Sequence, residues 1–323
     1  MAADLSLEDV VAARAAIAGR LHRTPIFSSA TLAKRVGAPV HLKAELFQRT
    51  GSFKPRGVLT KLASLSDHEK RRGVIGISAG NHAQALAYCA ALDGLDALLV
   101  MWEGASPQKI EATRAYGASV DLEANGPGEA FDRLHDLIEE TGRALVHPFD
   151  DPWTIAGQGT VGLELVEDVP ETTVVLVPVG GGGLVGGVAL GAEDRRIVAI
   201  EPQLSDALHK GLEAGESVRV EPKSIADGLS APFAGNLPLE ICRARNVESV
   251  LVTEAEIADG MRFLYGRAKV ACEPAAAVGV AALLAGKIAV EPHDSVGVVV
   301  SGGNVAPEIA SAILASNEGW DPS

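Results

Sequence analysis

The chain has 323 residues, of which 47% are hydrophobic, 22% charged and 4% aromatic, with 35 glycines: enough for about two domains with cores of their own. Its 28 lysines and arginines face 42 acids, a net charge of −14, and no basic patch offsets that balance, so nucleic acid is not an expected partner. Three scattered cysteines (Cys89, Cys242, Cys272), no histidines at metal-ligand spacing, an acidic start and no membrane-length apolar run argue against a disulfide scaffold, a secreted protein and a membrane protein, and place the chain in the cytoplasm.

Ser6, with Asp9 three residues later, predicts a capped helix start before Val10, Val11, Ala13 and Ile17. From residue 39, short β-branched runs alternate with helical patterns. Strands are expected at Val40–Ala44, Val74–Ile77, Ala97–Met101, Ser119–Leu122, Ala144–His147, Val174–Val179, Ile197–Ile200 and Val296–Val300. The helices between them start at Ser52, Asn81, Pro107, Glu129, around Gly157-Gln158-Gly159, at Leu184 and at Pro307. Continuous apolar strands between helices predict parallel sheets covered on both faces, with ligands outside the carboxyl ends of the strands. No repeat or linker divides the chain. Short crossings near residues 66 and 150 would separate a large unit, 1–66 with 150–323, from a small one, 67–149.

Four strand-end loops carry chemistry. Thr50-Gly51-Ser52-Phe53-Lys54-Pro55-Arg56-Gly57 sets a lysine between glycines at a helix start, where desolvation would favour the neutral, nucleophilic amine. A solvated helix-start lysine is the plainer alternative. Gly180-Gly181-Gly182-Gly183 opens a helix after an apolar strand, which suits a phosphate held by backbone N–H groups and the helix dipole. The same stretch satisfies the dinucleotide pattern Gly181-x-Gly183-x-x-Gly186, with Glu201 where a ribose-binding acid would stand, so a nicotinamide oxidoreductase is a rival. Ser78-Ala79-Gly80-Asn81-His82 could hold a carboxylate and a ring substituent, or simply cap a helix. Ser301, in Ser301-Gly302-Gly303-Asn304, could meet a heterocycle nitrogen or cap a turn.

Together with His22-Arg23-Thr24-Pro25 and Ala156-Gly157-Gln158-Gly159-Thr160, these segments resemble, in order and over nearly the whole chain, the fold-type II pyridoxal-phosphate enzymes of the threonine/serine dehydratase and serine racemase branch. The resemblance implies two domains, each a largely parallel open sheet flanked by helices, with the cofactor in the cleft between them. It implies Lys54 as the Schiff-base lysine with Phe53 beside the ring, Asn81 on the ring hydroxyl, and Gly180, Gly181, Gly182, Gly183 and Leu184 around the phosphate. Ser301 would meet the pyridine nitrogen, and Ser78, Ala79, Gly80 and His82 would surround the substrate carboxylate. Gly228 and Glu273 would line the cofactor edge.

A serine hydroxyl on the ring nitrogen offers a neutral hydrogen bond of roughly 0.5–1.5 kcal/mol. A carboxylate there would form an ion pair worth up to ~4 kcal/mol, so the ring is expected to be the weaker electron sink, which suits elimination. The expected reaction is dehydration and deamination of L-threonine, and of L-serine, to a 2-oxo acid and ammonia. Racemases of this branch place a serine where Ala79 stands, and alanine has no proton to give to the second face. Serine-racemase-like and threo-3-hydroxyaspartate dehydratase activities stay open, as does a catalytically silent relative. A cation near Glu201 is conceivable, but Ala207 cannot ligate one and Asp206 would have to substitute, so no metal residue is assigned. A homo-oligomer without a C-terminal regulatory domain is expected.

Overall fold

The computed structural model describes residues 5–105 and 107–316. Ten strands form two sheets: β1 (Ile26–Ser28), β2 (Val40–Ala44), β3 (Val74–Ile77), β4 (Ala97–Trp102), β5 (Ser119–Ala124), β6 (Ala144–Leu145), β7 (Val174–Pro178), β8 (Arg196–Pro202), β9 (Glu248–Val252) and β10 (Val296–Val300). The larger sheet runs β1-β2-β10-β7-β8-β9, and only its edge strand β1 is antiparallel. The smaller, β5-β4-β3-β6, is wholly parallel. The mixed α/β architecture expected from the alternating pattern is therefore present, with two parallel sheets flanked by helices.

The strands form where β-branched residues can be buried on both faces. All residues of β7 and of β10 are buried, and each of the four valines of β10 gains about 1.5–3 kcal/mol from leaving water. Gly297 interrupts that valine run because a Cβ there would lie 2.6 Å from Leu165. Between the helices Pro152–Asp168 and Gly183–Gly191, backbone packs directly on backbone. A Cβ on Gly187 would fall 2.5 Å from the Gly159 nitrogen. The glycines of Gly157-Gln158-Gly159 therefore serve close helix packing.

The capping box at Ser6 and Asp9 forms. The helix expected from Ser52 begins instead at Pro55, with Lys54 as its N-cap. Ser52 is extended and pairs with Gly302 in an isolated antiparallel bridge, and Phe53 N–H donates to the Ser301 carbonyl at 3.1 Å. Proline at the first helical position then starts the helix where its missing N–H costs nothing. Two strands escaped the sequence pattern. β1 has only three residues, and β9 (Glu-Ser-Val-Leu-Val) is an exposed edge that begins with polar residues. Among the described residues, no helix is long and apolar enough to cross a membrane.

Candidate active site

β2, β3, β7 and β10 all end towards one cavity of about 630 Å³. Its walls include Phe53 and Lys54 after β2, Ser78 to His82 after β3, Gly180 to Leu184 after β7, and Ser301 after β10. Gly228 and Glu273 complete them. Every residue that the resemblance assigned to the cofactor or the substrate therefore lines this one cavity, while Glu201 does not.

Lys54 is positioned from three directions. The Ser52–Gly302 bridge and the Phe53–Ser301 bond fix its backbone, while Gly303 N–H donates to the Gly51 carbonyl at 3.0 Å. Its Nζ donates to the Pro148 carbonyl at 2.9 Å and lies 5.1 Å from the centroid of the Phe53 ring. Burial pushes its pKa down to about 8, with the Glu273 carboxylate opposing the shift. At pH 7 about one amine in ten is then neutral, against fewer than one in a thousand for an ordinary lysine. The Pro148 carbonyl is itself set by His147, whose Nδ1 accepts the N–H of Asp150 at 2.8 Å and of Phe149 at 3.3 Å.

In the glycine loop, Gly182 has φ +91°, and a Cβ on Gly181 would land 2.3 Å from the Phe149 ring. A side chain is excluded on both grounds. The loop leads into the helix Gly183–Gly191, so its free N–H groups face a cavity at a helix N-terminus, the arrangement that binds phosphate. Glu201, the rival ribose acid, does not face this loop. Its two oxygens accept the N–H groups of Leu208 and His209, both at 2.8 Å, at the start of the helix Ala207–Ala214. Burial pushes its pKa up against those donors, while Asp206 pairs with Lys210 at 3.0 Å. The dinucleotide reading loses its acid.

Asn81 is the first residue of its helix and no cap, and neither Ser78 nor Ser301 caps a helix. Asn81 Nδ2 donates to Glu273 at 2.8 Å, and its Oδ1 accepts from Asn304 Nδ2 at 2.8 Å. Burial raises the Glu273 pKa to about 7, with Asp227 adding to the rise. Gly302 leaves room for that carboxyl, since a Cβ there would lie 2.5 Å from Glu273 Oε1. His82 offers no cation for a carboxylate. Its Nε2 donates to the Val146 carbonyl at 2.9 Å, and burial, then the nearby Lys54 charge, pushes its pKa down to about 3. Its part is to fasten the loop to the strand end.

The sequence reading missed the support beneath Lys54. Arg56 is 1% exposed and donates to both oxygens of Glu45 at 2.8 and 2.9 Å, to both of Glu164 at 2.8 Å, and to Thr160 at 3.0 Å. Lys43, wholly buried in β2, donates to Glu164 at 2.7 Å and to the Thr24 carbonyl at 2.9 Å. A lysine inside the apolar run of β2 was the available signal. Also missed was the bridging of the cleft, by Lys109 to Asp227 and by Phe131 to Phe233 with ring centroids 5.8 Å apart.

Residues 17–302 match the family model described as pyridoxal-phosphate dependent enzyme. An L-threonine ammonia-lyase of Thermotoga maritima is 42% identical, over 96% of this chain and 78% of that protein. Among solved structures, maize serine racemase superposes with a TM-score of 0.90 at 37% identity over 94% of each chain. A threonine deaminase from T.th. gives 0.86 at 38%, over 93% of this chain and 99% of that one.

Proposed function

We propose, because the chain belongs to the pyridoxal-phosphate dependent enzymes, that it is an ammonia-lyase converting L-threonine, and L-serine, to a 2-oxo acid and ammonia. One observation carries the reading: a lysine with a depressed pKa shares a cavity with a glycine loop at a helix N-terminus, a second helix N-terminus at Asn81, and the Ser301 hydroxyl. The cavity fits the cofactor. The glycine loop has no Cβ to obstruct a phosphate and N–H groups to bind it, Lys54 can carry the aldehyde carbon, and Asn81 and Ser301 offer polar atoms for the ring. We assign the phosphate to Gly180 to Gly183 with Leu184, the ring face to Phe53, and the ring edge to Gly228 and Glu273.

When bound, pyridoxal phosphate supplies an electron sink that weakens the Cα–H bond of the attached amino acid. The chain's own residues do the rest. Ser78, Ala79 and Gly80, with the N-terminus of the helix Asn81–Leu92, receive the substrate carboxylate, and His82 holds that loop in place. The neutral amine of Lys54 takes the Cα proton, the β-hydroxyl departs as water, and the released enamine hydrolyses to the 2-oxo acid and ammonia. Ala79 has no proton to return to the opposite face, which favours elimination over racemisation. The serine racemase similarity is the reason to measure product chirality.

The organisation we propose is a large unit, 1–66 with 150–323, and a small unit, 67–149, in a cytoplasmic homo-oligomer. The test is purified protein supplied with β-hydroxy amino acids and assayed for keto acid, ammonia and chirality. Keto acid and ammonia in equal amounts are expected, with Lys54→Ala abolishing both turnover and the borohydride-trapped cofactor linkage. Inverted amino acid without keto acid would overturn the reading.

A further inference from the structure

Asn304 ends the Ser301-Gly302-Gly303-Asn304 segment, and the function proposed above gives it no part. Its Nδ2 nevertheless donates twice, to the Thr50 carbonyl at 2.7 Å and to Asn81 Oδ1 at 2.8 Å. Asn81 Nδ2 in turn donates to Glu273 Oε1 at 2.8 Å. The bonds Thr50–Asn304–Asn81–Glu273 thus join the segment before Lys54, the end of β10, the helix Asn81–Leu92 and the N-cap of the helix Pro274–Leu284. Two glycines leave room for this chain of bonds. A Cβ on Gly51 would lie 2.6 Å from Asn304 Oδ1, and one on Gly302 3.2 Å from Asn81 Nδ2.

The chain of bonds has a direction, and one atom sets it. A backbone carbonyl only accepts, so the Thr50 oxygen requires the amine end of Asn304. Both Nδ2 protons of Asn304 are then spent, the second on Asn81, whose oxygen must face it. The amine end of Asn81 is left towards Glu273. Reversing either amide would set oxygen against oxygen, at Thr50 or at the Glu273 carboxyl. Thr50 itself holds φ +60°, a left-handed conformation that a β-branched residue rarely adopts. That strained backbone presents the carbonyl on which the orientation rests.

Asn81 Nδ2 has two protons, and Glu273 takes one. Among the described residues the other meets no acceptor, and Asn81 lines the cavity. Asn81 therefore greets an occupant of the cavity as a donor. The titratable groups about it are Glu273 at the amide, Asp227 and Lys109 acting on Glu273, and Lys54 and His82 on the same wall. An N–H donor binds an oxygen better when that oxygen is ionised.

We propose that Asn304 is a positioning residue: by fixing the Asn81 amide from the Thr50 carbonyl, it aims an Asn81 N–H at the cofactor's ring oxygen and keeps that oxygen deprotonated. The proposal rests on the placement of the cofactor ring beside Asn81, and it holds whichever amino acid is the substrate.

Bound pyridoxal phosphate absorbs at longer wavelength with its ring oxygen deprotonated than with it protonated, so the ratio of the two bands follows that oxygen. The ratio is measured in the holoprotein, at a pH where both bands of the parent are visible. Asn304→Ala should lower it by about 2- to 12-fold, the size of one neutral hydrogen bond. In the Asn81→Ala background, where nothing is left to position, the same change should lower it by less than about twofold. Asn304→Asp keeps the shape and removes both donated protons, so it should fold as the parent does by circular dichroism and lower the ratio at least as far. An unchanged ratio in either variant, or an equal fall with and without Asn81, would overturn the proposal alone. A parent protein with no borohydride-sensitive band would overturn the cofactor placement and this proposal with it.

Discussion

Replacing Arg56 by methionine tests what the buried charge network beneath Lys54 contributes to stability. Two cations, Arg56 and Lys43, balance two carboxylates, Glu45 and Glu164, and Glu45 is wholly buried. Methionine matches much of the arginine stem but removes five hydrogen bonds between 2.8 and 3.0 Å. Lys43 still answers Glu164, while among the described residues Glu45 keeps only the Thr24 hydroxyl. Removing one partner of a buried pair costs about 3–5 kcal/mol, a large part of a total stability of about 5–15 kcal/mol. Urea unfolding of the apoprotein, followed by circular dichroism, should show that loss. The double variant Arg56→Met with Glu45→Gln removes the stranded charge and should recover at least about 1 kcal/mol. A single variant within about 1 kcal/mol of the parent, or a double variant no better than the single, would refute the reasoning.

If Lys54 binds the cofactor as proposed, its neutral amine attacks, and the rate at which apoprotein takes up cofactor should rise about tenfold per pH unit below about 8 and level off above it. Stopped-flow absorbance measures this; a plateau only near the ordinary lysine value would contradict it, and Glu273→Gln, which removes the opposing carboxylate, should move the inflection lower. Gly181→Ala puts a Cβ 2.3 Å from the Phe149 ring; relieving that overlap costs about 1–3 kcal/mol, so the cofactor Kd from absorbance titration should weaken by about 5- to 160-fold. Ala79→Ser adds a hydroxyl to the cavity wall and should raise D-serine formation from L-serine above the parent level, read by chiral chromatography. No gain would mean that Ala79 is not what blocks racemisation.

The strand ends and their loops were legible because each stands where an apolar β-branched run gives way to glycine or serine before a helix. Val74–Ile77 into Ser78 and Val296–Val300 into Ser301 are read directly from such transitions, and β3 and β10 have those bounds. The start of the Lys54 helix was misplaced because what prevents Ser52 from becoming helical is Gly302, 250 residues away in sequence. Local pattern carries no trace of such a partner. Apart from Lys43 in the apolar run of β2, the Arg56 network was hidden for the same reason: its members lie in β2 and the turn Glu45–Phe47 after it, in the Lys54 helix and in the helix Pro152–Asp168, and only the fold makes them neighbours. Glu201 shows the opposite failure. Its spacing from the glycine loop was right for a ribose ligand, but its direction, towards the helix Ala207–Ala214, is set by tertiary structure.

These long-range contacts give the half-buried Lys54 a fixed backbone and leave its tip lightly held. Its backbone is clamped by the Ser301–Gly303 segment on one side and, through Arg56, by Glu45 and Glu164 on the other. Among the described residues, the side chain beyond Cα makes one hydrogen bond, to the Pro148 carbonyl. A single bond of that kind contributes only about 0.5–1.5 kcal/mol, so the amine can leave it readily for a carbonyl carbon or an amino-acid Cα proton. A rigid stem with a weakly tethered tip is what a lysine needs if it is to bind covalently and then act as a base within the same cavity.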